Sequence, residues 1–289
     1  MMNFGNILTA MVTPFNDKNE LDLDRTGILV EHLINNGTES LVVGGTTGES
    51  PTLTKEEKLQ LFEYVVKVVN GRVPVIAGTG SNNTKETIDF TLKVEELGVD
   101  GVMLVVPYYN KPNQEGIYQH FKAVATNTEL PIMVYNIPGR TSINMDVETT
   151  VALSKIPNIV AVKESSQDVF MMTEIVEQTD DDFMLYSGDD GFTLPALAVG
   201  GNGIVSVSSH IFGNEMQEMV HSYLDGDVKK AAKAHQQLLP KMKGFFKSPS
   251  PVPIKTALNK MGISVGSVRL PLVPLTPEEE IQLFKDIKL

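Results

Sequence analysis

Short apolar runs alternate with amphipathic stretches along most of this chain. The runs are ILTAMV (7–12), SLVVGG (40–45), VPVIAG (73–78), GVMLVV (101–106), PIMVY (131–135), IVAVK (159–163), FMLYS (183–187) and GIVSV (203–207). They are nearly continuous rather than alternating, the pattern of strands buried on both faces in a parallel sheet. The stretches between them carry helical spacing and helix punctuation. After the second run, Thr54 with Glu57 three residues on makes a capping box, Leu59, Phe62, Val66 and Val69 follow on one face, and Gly71 supplies a stop. Thr84 begins a segment with Ile88 and Leu92 on one face, ended at Gly98; Ile117, Phe121 and Val124 share a face in the next. A helix over Asn144–Lys155 follows the fifth run and stops before Pro157. Eight strand–helix units predict an α/β fold of the (β/α)8 TIM-barrel type. The competing doubly wound sheet usually has fewer strands and carries a glycine-rich dinucleotide fingerprint, which is missing after the first run.

The eighth unit closes with a helix near 213–225, which predicts a catalytic barrel over 1–225 and an additional C-terminal helical region over 226–289. In that region 227–247 reads as a helix, SPSPVP (248–253) breaks it and starts another near 254–261, and LPLVPL (270–275) is an extended linker. Thr276-Pro277-Glu278-Glu279 opens a last helix with Pro at its first position and an acid at its third.

Composition narrows the function classes. A chain of 289 residues, 42% hydrophobic and 21% charged, can bury a large core without staples. Cysteine is absent, which suits a reducing cytoplasm and removes thiolate metal sites. The first residues, MMNFGNILTA, lack the basic and long apolar segments of a signal peptide, and no stretch has the uninterrupted apolar length of a membrane helix. A net charge of −12 argues against nucleic-acid binding and requires that any anionic substrate be held by local positive groups. The five histidines show no paired ligand spacing, and only His210 falls near a strand end, so no metal is expected.

Barrel chemistry sits at the carboxyl ends of the strands. Lys163 ends the sixth run, where burial would favour its free amine, the form that attacks a ketone to give a Schiff base. The other reading is a structural lysine paired with an acid such as Glu164. GGTTGES (44–50) supplies backbone N–H groups and two hydroxyls suited to a small carboxylate, or is simply a tight turn. Tyr135 ends the fifth run as a candidate general acid/base or a satisfied core residue, and Arg140 follows on a loop as a candidate carboxylate fork or a solvated residue. In PYYNKP (107–112) two adjacent tyrosines on an extended segment cannot face the same way, so that one could enter a site and the other an interface. In SGDD (187–190), Gly188 lets a backbone carbonyl approach a ligand.

Taken together, GGTTGES, PYYNKP, YNIPGRT (135–141) and VKES (162–165), in this order and each at a strand end, resemble the dihydrodipicolinate synthases, within the N-acetylneuraminate lyase group of Schiff-base barrels. The resemblance covers essentially the whole chain. It implies condensation of pyruvate with aspartate semialdehyde through a lysine Schiff base, giving a cyclic precursor of diaminopimelate and lysine, with no cofactor. It implies Lys163 as the Schiff-base lysine, Thr46 and Thr47 as binders of the pyruvate carboxylate, and Thr46, Tyr135 and Tyr109 as a proton relay. Tyr109 would be lent across a tight dimer interface, so the oligomer would be a dimer at least, and a homotetramer built as a dimer of dimers is common in the family. Arg140 would hold the semialdehyde carboxylate, and Gly188 and Val205 would line the site. The arginine of GRT and the TT pair, where lyases more usually carry ST, favour the synthase over a sialate or 2-keto-3-deoxy sugar acid lyase. A barrel that binds or regulates without catalysis is the alternative of another class.

Feedback-inhibited members bind lysine near the second and third strand–helix loops. The matching positions here are Ser50, Pro51, Asn82, Glu86 and Tyr108, but Lys55 and Lys58 stand where strongly inhibited members carry histidines. Two added cations repel a cationic ligand. Weak or no inhibition by lysine is therefore expected; half-inhibition at sub-millimolar lysine in a synthase assay would contradict it.

Overall fold

The computed structural model describes residues 3–289. Its eight strands are β1 Ile7–Ala10, β2 Ser40–Val43, β3 Val75–Gly78, β4 Gly101–Val105, β5 Ile132–Asn136, β6 Ile159–Glu164, β7 Met184–Ser187 and β8 Gly203–Ser206. All pair in parallel in chain order, and β8 pairs with β1, so the sheet closes into the barrel that the apolar runs predicted. Twelve helices accompany it: α1 Leu23–Asn35, α2 Lys55–Val69, α3 Thr84–Glu95, α4 Gln114–Ala125, α5 Pro138–Thr141, α6 Val147–Ser154, α7 Val169–Gln178, α8 Thr193–Ala198, α9 Ser209–Leu224, α10 Val228–Gly244, α11 Val252–Lys260 and α12 Pro277–Ile287. No helix among the described residues is long and apolar enough to cross a membrane.

The strand period of two sorts side chains into two cores. Leu8, Val42, Ile76, Met103, Met133, Ala161, Met184 and Val205 point into the barrel, with Phe4 among them. Their neighbours in sequence, such as Leu41, Val43, Val102, Val134 and Val162, point outward against the helices. That outer core runs on without a break through Leu238, Met242, Ile254, Leu258 and Leu283 of the C-terminal helices. Each such side chain contributes roughly 1.5–3 kcal/mol on burial.

Local differences from the sequence reading have simple causes. The glycines at 44 and 45 lie outside β2, because Gly44 turns the chain at φ 68°. The helix expected from Asn144 starts at Val147, because the Asp146 carboxylate accepts the Thr149 N–H and caps it. The segment read as a loop at 138–141 is a one-turn helix begun by Pro138. The closing helix begins at Ser209, earlier than expected, and bends at Phe212. Both expected capping boxes, Thr54 with Glu57 and Thr276 with Glu279, are formed. Thr54→Ala removes one of the two reciprocal bonds at the start of α2, and a loss of about 1 kcal/mol is expected in equilibrium urea unfolding.

Candidate active site

Register brings the two key side chains side by side. Tyr135 pairs with Lys163, and Lys163 with Tyr186, across β5, β6 and β7. Tyr135 and Lys163 both point into the barrel at its carboxyl end, 4% and 5% exposed, with Lys163 Nζ 4.1 Å from the Tyr135 ring centre. Glu164, next along the strand, points to the opposite face. There its carboxylate accepts from Asn136 Nδ2 at 2.9 Å and from the Ser166 N–H at 2.7 Å. The Lys163–Glu164 pair is thus ruled out by the pleat itself. Among the described residues no acid forms an ion pair with Lys163.

An unpaired ammonium removed from water is disfavoured. Burial pushes the Lys163 amine down to about 7; the Asp190 carboxylate opposes this and the Arg140 guanidinium adds to it. Burial likewise pushes the Tyr135 phenol up to about 12, against the Ser165 and Thr46 hydroxyls and the Arg140 cation beside it. At neutral pH the pair is therefore an amine near half-protonation beside a neutral phenol, chemistry suited to nucleophilic attack and proton transfer.

Around this pair stand most of the residues singled out from the sequence. Thr46 reaches toward the Tyr135 hydroxyl, and Thr47 is buried beside it in the turn after β2, where the Glu49 N–H donates to the Thr46 carbonyl at 3.1 Å. Gly188 follows β7. A Cβ there would overlap Ser165 Oγ and come within 2.9 Å of Lys163 Cε, so only glycine leaves room for the lysine stem. Val205, on β8, is 2% exposed and belongs to the same inner cluster as Tyr135. Arg140 is exposed on α5, at the rim, close enough to act on both Lys163 and Tyr135.

Tyr109 is not brought in. It is 89% exposed in the loop between β4 and α4 and sits in the left-handed region at φ 72°, strained for a bulky residue. Asn82 braces this loop: its Nδ2 donates to the Tyr108 carbonyl at 3.1 Å, and its own carbonyl accepts from Asn110 Nδ2 at 2.8 Å. Ser50, Pro51 and Tyr108 line one cavity of about 140 Å3, together with Thr46 and Lys58. Glu86 lies elsewhere, within 3.7 Å of Lys55 Nζ. Lys58 has no acid partner among the described residues; burial, then Lys55, pushes its amine downward. His210 is buried, with Nε2 accepting the Val12 N–H at 3.1 Å and Nδ1 against the Val207 carbonyl at 2.8 Å, so both ring nitrogens are committed to the backbone.

Asp190 and Ser165 escaped the sequence reading. Asp190 is 1% exposed; its Oδ2 accepts from the Ser208 N–H and Oγ, its Oδ1 has no partner, and burial raises its pKa. Its signal was available: SGDD follows a strand end as directly as VKES does.

A sequence model of the Dihydrodipicolinate synthetase family matches residues 3–289. The chain belongs to that family. It is 60% identical over 287 residues to the 4-hydroxy-tetrahydrodipicolinate synthase of Bacillus subtilis, covering 99% of each. Among solved structures, a dihydrodipicolinate synthase of Bacillus anthracis superposes with a TM-score of 0.98 at 60% identity, covering 100% of this chain and 99% of that one. A family member from Cyanidioschyzon merolae, solved with lysine bound, follows at 0.97 and 46% identity, covering 99% and 97%.

The balance of charges on the Lys163 amine has a measurable sign. Only a free amine attacks a ketone, so the rate of reductive trapping at Lys163 is expected to rise with pH and level off above about 7. Arg140→Ala removes a cation that disfavours the ammonium, and the midpoint should move upward; an unchanged midpoint would contradict the coupling.

Proposed function

We propose that this chain is the synthase that condenses pyruvate with L-aspartate 4-semialdehyde to give 4-hydroxy-tetrahydrodipicolinate, the first committed step toward diaminopimelate and lysine. It is a lyase-class enzyme needing no cofactor. The observation that carries this reading is the Lys163 amine, buried without a counter-ion and held near neutrality beside Tyr135.

In this reading the Lys163 amine attacks the pyruvate ketone, and the carbinolamine loses water to give a Schiff base. Loss of a methyl proton then gives an enamine, whose carbon attacks the semialdehyde aldehyde. Each step moves a proton, and Tyr135 beside Thr46 is positioned to carry it. Thr46 and Thr47 hold the pyruvate carboxylate, and Gly188 and Val205 shape the wall. Arg140, exposed at the rim, takes the semialdehyde carboxylate; its planar fork suits that group, and an acidic chain needs such a local cation. The exposed, strained Tyr109 completes the relay in the site of a second copy. We therefore take the working unit to be a homodimer at least, within a tetramer, and place it in the cytoplasm, which the cysteine-free sequence suits. The cavity at Ser50 and Tyr108, whose loop Asn82 braces, is the position of the family's lysine effector. Here it carries Lys58, and Lys55 engages Glu86.

Incubation with pyruvate and borohydride should add one reduced pyruvate to the mass, localised to Lys163, and Lys163→Ala should abolish it. With aspartate semialdehyde as second substrate the enzyme should turn over, and with sialate it should not. No adduct would exclude every Schiff-base reading; cleavage of sialate without synthase activity would assign the lyase instead.

A further inference from the structure

Directly behind the two threonines lies a charged cluster that the chemistry above does not use. Glu49, the residue after Gly48 in GGTTGES, is 3% exposed and left-handed at φ 56°, ψ 35°. A non-glycine residue holds that conformation only where its surroundings over-determine it. They do so from the far end of the chain. Lys255 Nζ, on α11, donates to Glu49 Oε1 at 2.8 Å and to the Ser267 carbonyl at 2.6 Å. The Arg269 N–H donates to Glu49 Oε2 at 2.9 Å. The Arg269 guanidinium grips both oxygens of Glu57 and donates from Nη1 to the Thr52 carbonyl at 2.9 Å, so it clamps the start of α2 as well. Both cations stand 4.2 Å from the Phe15 ring centre. The Lys255 and Glu49 side chains are 2% and 1% exposed.

This cluster is joined to the cradle by backbone. The Glu49 N–H closes the turn on the Thr46 carbonyl at 3.1 Å, and Thr13 Oγ1 donates to the Gly48 carbonyl at 2.7 Å. A buried ion pair is a poor way to add stability, since an apolar pair of the same volume does as well or better; its better-attested use is to impose one geometry.

We propose that Glu49, Lys255 and Arg269 are positioning residues, through which the C-terminal region sets the conformation of the Thr46–Thr47 carboxylate cradle. The proposal rests on the assignment of that cradle to pyruvate.

The test is the paired variant Glu49→Gln with Lys255→Met, which strands neither charge, beside Arg269→Gln, whose guanidinium is part-exposed and whose loss is milder. Folding is checked by circular dichroism and thermal melting. Half-saturation by pyruvate in borohydride trapping at Lys163 should rise about tenfold or more in the paired variant, and less in Arg269→Gln, while the KM for the semialdehyde stays within about twofold. A purely structural role would lower the melting temperature and leave pyruvate half-saturation unchanged; that result, in whichever variant folds, overturns the proposal. A wild-type chain that traps no pyruvate overturns the reading of the site itself, and the proposal with it.

Discussion

The removal of one amine from water organises this molecule. Lys163 Nζ is carried into the barrel at the end of the apolar run Ile159–Val162, and among the described residues no acid forms an ion pair with it. Holding the ammonium there costs on the order of a few kcal/mol at neutral pH, because the unfolded chain keeps the proton up to a much higher pH. The barrel can carry that cost because two apolar cores, one inside the sheet and one around it, each bury many large side chains. A reactive amine is thus built from hydrophobic packing, with Asp190 and Arg140 as opposing corrections.

The same burial makes the neighbours intelligible. Tyr135 stays a neutral phenol for the reason that Lys163 is half deprotonated: neither charged form is well solvated there. Gly188 is required because Ser165 Oγ and the lysine stem fill the space that any side chain would need. Arg140 is set at the rim, and the buried Glu164 carboxyl is satisfied on the outer face by Asn136 and Ser166. Behind the threonines, the buried Glu49–Lys255 pair is the one full ion pair driven into the interior among the described residues.

Much of this was legible from residue order. Strands buried on both faces cannot alternate, so IVAVK and its seven counterparts stood out, and strand ends in such barrels carry the chemistry. Helix boundaries were read where a side chain bonds its own backbone, as at Thr54 and Thr276, and were missed where another cap competed, as at Asp146. Asp190 and Glu49 were overlooked for a different reason. A carboxylate at a strand end looks the same in sequence whether it is solvated or buried with an unpaired oxygen, and burial is set by elements far along the chain.

By itself, then, the amino-acid order determined the eightfold alternation, the strand ends and the residue types offered there, because period and punctuation are local properties of a chain. Whether Lys163 meets Glu164 or Tyr135 was decided by the pleat and by the register of β5 against β6, which exist only once the barrel closes. That Tyr109 stands exposed, away from Lys163 and Tyr135, and that Lys255 and Arg269 reach back across more than 200 residues of sequence to Glu49, were likewise decided by tertiary structure. Contacts of that separation leave no periodic trace, since nothing in the local spacing records which distant group will arrive.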